Sequence, residues 1–262
     1  RVEEVLTSDI AAIAEYLKLW RLKLSMAKTT ATAFHLANKD ANRQLKVSLG
    51  GAILPYNPTP TYLGVKFDRQ LTYKQHLESL RAKVSSRNNL LRRLAGSSWR
   101  AYTSTLRTGA LALVYSAAEY AAPAWSRSVH AKKLDVTLNE TMRIITGCLR
   151  PTPVKHLPVL SGIAPPPLRR EHHTHVLIKK ASQDPTHLLH GRIKAAEDLG
   201  SKRLRSRRPF SRHATTLGHS NFNILEQWKT DWQETDKPTQ FNIAPSLDLP
   251  PGARLPRRDW SL

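Results

Sequence analysis

Cysteine is almost missing from this sequence: Cys148 is the only one in 262 residues. A lone thiol closes no disulfide within the chain and builds no cysteine-based zinc site, which fits a reducing, intracellular compartment. Long apolar runs are missing as well, so no stretch reads as a membrane span or a signal peptide. No Gly-rich phosphate loop or Ser/His/Asp pattern stands out. The ten aspartates include no adjacent pair. Acidic residues are scarce beside basic ones, 20 against 41, for a formal charge of +21. Such an imbalance favours a polyanionic partner, because each cation set against a phosphate releases condensed counterions. The chain opens on Arg1 and closes on Trp260-Ser261-Leu262, and is expected to be part of something longer.

What is present is enough to fold. Hydrophobic residues make up 40% of the chain, sufficient for one large or two small domains. Residues 1–24 have the spacing of an amphipathic helix, with Leu6, Ile10, Ile13, Leu17 and Trp20 on one face. Thr30–Leu36, residues 43–49 and Thr61–Asp68 read as strands, with Gly50-Gly51 as a hairpin turn. After Asp68 the period becomes helical. Thr72 is a plausible N-cap for a helix to about Leu94, whose apolar stripe is Leu77, Leu80, Val84, Leu91 and Leu94. Further helices are expected over about 102–120, 132–146 and 168–182. Ser201–His213 is strongly basic and suits a disordered spacer, an electrostatic tether to nucleic acid or a nuclear import signal. The fold class expected is α+β: a helix on a small antiparallel sheet over 1–68, a mainly helical bundle over 69–182, and a basic, Pro-rich, flexible region over 183–262.

An ordered set of motifs carries a likeness. Trp20-Arg21-Leu22-Lys23-Leu24-Ser25-Met26-Ala27-Lys28-Thr29 is followed by Phe34-His35-Leu36 and then by Tyr62-Leu63-Gly64-Val65-Lys66-Phe67-Asp68. Ala118-Glu119-Tyr120-Ala121-Ala122-Pro123-Ala124-Trp125 and Leu138-Asn139-Glu140-Thr141-Met142-Arg143-Ile144-Ile145-Thr146-Gly147 come later. Together they resemble the region after the catalytic aspartates in reverse transcriptases of non-LTR retrotransposons, Jockey-like elements above all. The resemblance implies a partial palm over 1–68 and a thumb-like region over 69–182. It implies RNA and DNA template-primer as partners, with the fingers and remaining palm of a parent polyprotein upstream. Magnesium in the intact enzyme is implied too, held by paired aspartates that this chain does not contain. The chain alone is therefore expected not to polymerise, and no metal site is assigned to it.

The candidate residues follow from the likeness and from charge. Lys28 falls where polymerases place a lysine near the nucleotide triphosphate, an auxiliary role set against that of a solvated loop lysine. Tyr62, Gly64 and Lys66 belong to a hairpin resembling a primer grip, with Leu63 and Val65 expected in the core. Residues 69–110 hold nine basic side chains and one acid, Glu78. On the helix among them, Lys74, Arg81 and Arg92 lie within about 20° of one another beside the apolar stripe, and Arg93 is near. A face of one sign suits phosphate contact, whereas an ordinary solvated helix mixes signs. His172, His173 and His175 lack the spacing of a metal set. Cys148 is expected as a small buried hydrophobe. A standalone nucleic-acid-binding protein and a basic helical scaffold remain the alternatives.

Overall fold

In the computed structural model the described residues are 1–96, 101–193, 222–234 and 243–250. They belong to two compact units, Arg1–His76 and Leu77–Leu262. The first unit opens with helix α1 (Val2–Leu19), whose Glu3 and Glu4 near the start and Lys18 near the end complement its dipole. Its covered edge runs through Thr7, Ile10, Ala14 and Leu17. Of the expected stripe, only Ile10 and Leu17 lie on that edge. Ile13 and Trp20 are exposed, and no α1 residue is fully buried. The edge sits over β1 (Ser48–Leu49), where Thr7 Oγ1 accepts from the Ser48 amide at 3.3 Å and Glu3 accepts from the Lys46 amide at 3.1 Å. Ile10 packs with Leu45 and Leu49 against a small core of Ala31, Val47 and Leu54.

The sheet is smaller than expected and comes as two separate hairpins. β1 pairs with β2 (Ala52–Ile53) across Gly50-Gly51, both at positive φ, as the two glycines predicted. β3 (Thr61–Tyr62) pairs with β4 (Val65–Lys66) in register Thr61↔Lys66 and Tyr62↔Val65. The stretch expected as a strand at 30–36 forms only one bridge, Ala31 to Tyr56. Pro55, Pro58 and Pro60 explain the shortfall, since the chain that would extend β2 and lead into β3 lacks those amide donors.

Asp68 organises the turn into the long helix α2 (Lys74–Leu94). Its carboxylate accepts from the Thr72 amide at 2.6 Å, from the Thr72 hydroxyl and from the Lys74 amide at 3.2 Å. Thr72 Oγ1 also accepts from the Lys74 amide at 3.3 Å, so the threonine does help satisfy the helix start. Asp68 shares that work, and Tyr73 between them is held at φ 58°, a left-handed conformation rare for a bulky residue.

The second unit is helical. The helix expected over 102–120 is α3 (Thr103–Gly109), a π-helical turn at Ala110–Tyr115 and α4 (Ser116–Ala118). The short α5 (Ala122–Trp125) follows Ala121, itself at φ 51°. α6 (Ala131–Thr146) ends at Gly147, whose φ of 74° lets its amide donate to the Arg143 carbonyl at 2.8 Å. A 3₁₀ turn at Val154–His156 leads into α7 (Leu157–Ser161), and α8 (Pro166–Gln183) starts at the prolines as expected. Helix α6 buries Leu134, Leu138, Met142 and Ile145, and α7 and α8 pack beside it.

The C-terminal region differs from a uniformly flexible tail. α9 (Ile224–Gln233), capped by Asn223, buries Trp228 and Trp232 in a cluster with Val159, Ala164 and Leu168. Burying two indoles stabilises that docking by several kcal/mol, at about 25 cal/mol per Å² of apolar surface. The basic run Ser201–His213 lies outside the described residues. Among the described residues, no helix is long and apolar enough to cross a membrane.

Candidate nucleic-acid interface

The β3–β4 hairpin turns at Leu63 (φ 48°) and Gly64 (φ 80°), the paired positive angles that a two-residue turn needs. Strand alternation then sends Val65 inward, 5% exposed, and leaves Tyr62 66% exposed. Leu63 is the correction here: it is 72% exposed, because the turn itself projects it away from the unit. The hairpin presents an aromatic ring and an aliphatic side chain beside Lys66. Behind Lys66, its amide donates to His76 Nδ1 at 3.4 Å. Burial, with a smaller push from Lys66, lowers the His76 pKa, so that imidazole favours its neutral form.

Lys28 lies in a turn in which its amide donates to the Ser25 carbonyl at 3.1 Å, and its side chain is exposed. The fold places it on an open surface.

α2 buries Leu77, Leu80, Val84 and Leu91, as its spacing predicted, but Leu94 is 43% exposed. The missing member of the stripe is polar. Asn88 sits between Val84 and Leu91 at helical spacing and is fully buried. Its Nδ2 donates to the Thr137 carbonyl at 3.1 Å, and its Oδ1 accepts from Thr141 Oγ1 at 2.8 Å. Those bonds fix one azimuth of α2 against α6, and with it the direction of the helix's cations.

Lys74, Arg81, Lys83, Arg92 and Arg93 are all exposed. Among the described residues, Lys74 and Arg81 form no ion pair. Arg92 is engaged: one terminal nitrogen donates to Asn89 and the other to Glu140 on α6. Arg87 is turned to the Leu113 carbonyl. Charge counting along α2 missed both partners, since Glu140 is 48 residues away in sequence from Arg92 and a backbone carbonyl leaves no mark in composition.

Two further arginines of the second unit form shielded ion pairs among the described residues. Arg169 forms a two-point ion pair with Glu119, its Nη2 at 2.8 Å, and lies 5.0 Å from the Tyr115 ring centroid. His173 Nε2 meets the same carboxylate at 3.0 Å. Burial opposes the charge on Glu119, but the hydrogen bonds from His173 and Arg169 outweigh it and hold the pKa low. Arg170 pairs with Asp135, its Nη2 at 3.0 Å, with its guanidinium 5.9 Å from the Trp125 ring centroid. Cys148 is half-buried rather than buried.

Among the described residues, no group of three or more His, Cys, Asp or Glu side chains could hold a metal ion. His172 and His175 instead lie beside Phe222, with ring centroids at 6.3 and 5.6 Å. The described residues thus offer no donor set for the two-metal chemistry of a polymerase.

No family model matches the chain, and no solved structure matches it. Two curated proteins do. One is the retrovirus-related Pol polyprotein from type-1 retrotransposable element R1 4 of Nasonia vitripennis, 28% identical over 181 residues. That match covers 63% of this chain and 46% of the polyprotein. The other is the RNA-directed DNA polymerase from transposon BS of Drosophila melanogaster, 28% identical over 144 residues, covering 53% of this chain and 16% of that protein. The chain thus spans about half of one relative and a small part of the other. The ordered motifs and these two matches agree: the chain is similar to part of a retrotransposon Pol polyprotein and part of a transposon RNA-directed DNA polymerase.

Proposed function

We propose that this chain is the back of the palm and the thumb-like region of a retrotransposon reverse transcriptase, and that it holds template-primer by the sugar-phosphate backbone. The observation that carries this reading is the state of Lys74 and Arg81. Both are exposed on one edge of α2 and unpaired among the described residues, while buried hydrogen bonds of Asn88 anchor the adjoining face of that helix. Cations held ready without counter-charges are what a phosphate backbone requires. Tyr62, Gly64 and Lys66 supply a second contact, where the absence of a Cβ at Gly64 allows close approach of a sugar-phosphate chain. Polymerisation is left to a partner segment. The chain has no Asp-Asp pair, and its described residues offer no metal-donor cluster, so no step of phosphoryl transfer is assigned to them. Remaining palm and fingers are the partner that the first unit fits, since its helix α1 exposes Val2, Ile13, Tyr16 and Leu19, with Trp20 just beyond. Lys28 acts only in such an assembly, and the nucleus, where target DNA lies, is the compartment this role requires.

The test is binding of an RNA–DNA hybrid duplex across a salt series, followed by fluorescence anisotropy. Replacing Lys74 and Arg81 together by alanine removes two phosphate contacts. It should weaken binding and lower the slope of log affinity against log salt by about 1.8. Unchanged affinity and slope would end the proposal.

A further inference from the structure

Among the described residues, three arginine–carboxylate ion pairs cross the second unit, and one of them differs from the others. Arg169–Glu119 and Arg170–Asp135 are shielded, with side-chain exposures of 21% or less. Arg92–Glu140 is open, at 43% and 45%. The Arg92 guanidinium has one N–H of each terminal nitrogen engaged, with Asn89 and with Glu140, and the Glu140 carboxylate offsets its charge toward an incoming phosphate. Yet Arg92 stands on the same edge of α2 as Arg81, which is unpaired among the described residues. Of the two partners that set Arg92 apart, Asn89 is neutral, and Glu140, brought in from α6, is the one that carries counter-charge.

We propose that Glu140 is a resident competitor for phosphate. Its carboxylate occupies Arg92 while no nucleic acid is bound, and a backbone phosphate displaces it on binding. An exposed pair of this kind contributes little to stability, so exchanging one anion for another is inexpensive. No bond is made or broken; the guanidinium changes acceptor, and Glu140 turns to solvent. Glu140 then sets a threshold. An isolated anion cannot outbid a carboxylate already in place, whereas a duplex engaging neighbouring cations can, because its local phosphate concentration is high. This inference rests on the template-primer reading above.

The experiment uses the full 262-residue chain and an RNA–DNA hybrid, with affinity measured between about 50 and 200 mM salt. Glu140→Gln should bind roughly three- to tenfold tighter at low salt, with a salt slope steeper by about 0.9, the signature of one added phosphate contact. In an Arg92→Gln background the same Glu140→Gln change should give neither effect. A gain of equal size in that background would overturn the inference, since it would be a bulk charge effect with no role for Arg92. No gain from Glu140→Gln, with wild-type binding intact and Lys74→Ala/Arg81→Ala weakened, would overturn it while leaving the template-primer reading standing. Failure of the wild-type chain to bind the hybrid would remove both. Thermal unfolding of each variant, expected within about 2 °C of wild type for an exposed pair, separates binding from folding.

Discussion

Replacing Asn88 by alanine tests whether one buried amide sets the orientation of α2. Its side chain is fully buried and makes two hydrogen bonds to α6, at 3.1 Å to the Thr137 carbonyl and 2.8 Å from the Thr141 hydroxyl. Each net hydrogen bond contributes about 1 kcal/mol, and truncation leaves a small cavity in a packed interface. Asn88→Ala should therefore cost about 2–3 kcal/mol, which is about 4–12 °C in unfolding midpoint for a unit of this size. Asn88→Leu should cost less, about 1 kcal/mol, for a specific reason: the Thr141 hydroxyl also donates to the Thr137 carbonyl of its own helix at 3.1 Å. A leucine thus strands no donor. Urea denaturation with a double-mutant cycle against Thr141→Val is the assay, and a coupling energy of about 1 kcal/mol is expected for residues in direct contact. A loss below about 0.5 kcal/mol for Asn88→Ala, or additive effects in the cycle, would refute the reasoning and return α2 to an ordinary apolar seam.

Stability should also fall as pH drops through about 6.5, the ordinary imidazole value. Burial first, and neighbouring positive charge second, lowers the pKa of His76 and His172 in the fold. The unfolded chain then takes up protons at a pH where the folded chain does not. Glu119 acts in the same direction in a lower window: its stabilisation is present above its ordinary value of 4.5 and is lost as pH falls further. An unfolding midpoint that stays flat between pH 7 and 5 would show that these imidazoles pay no burial cost. Gly162→Ala should detach the Ile243–Pro250 segment. Gly162 has φ +62°, and an added Cβ would meet the Asp248 carbonyl oxygen at 2.5 Å. Left-handed strain alone costs about 1–2 kcal/mol. Limited proteolysis should cut that segment faster in the variant, and an unchanged cleavage pattern would contradict the contact.

The helices were legible because their evidence is local. The 3.6-residue period over 132–146 sufficed to place α6 within a residue, and the prolines before Leu168 marked the start of α8. The strands were not, because a strand needs a partner, and alternation at 43–49 says nothing about whether one is available. There the prolines at 55, 58 and 60 outweighed the pattern. α1 shows a related failure. Its apolar residues cover too much of its circumference for periodicity to select a face, and contact with β1 chose the edge bearing Thr7 and Ile10 over the one bearing Ile13 and Trp20.

For the candidate site, the sequence identifies which residues carry charge, and only the fold says which charges are free. Lys74, Arg81 and Arg92 are equivalent on a helical wheel, but α6 brings Glu140 to one of them and leaves the other two unpaired among the described residues. Asn88 follows the same logic in reverse. It interrupts an apolar stripe and looks like a weakness of the helix, yet it is the residue whose amide finds Thr137 and Thr141. Both cases turn on partners about 50 residues away. A polar residue inside an apolar stripe therefore predicts a buried partner, because an unsatisfied amide there would cost 1–3 kcal/mol. The same reasoning applied to Asn88 would have anticipated a helix packed on that side of α2, and so an acid able to reach Arg92 one turn further along.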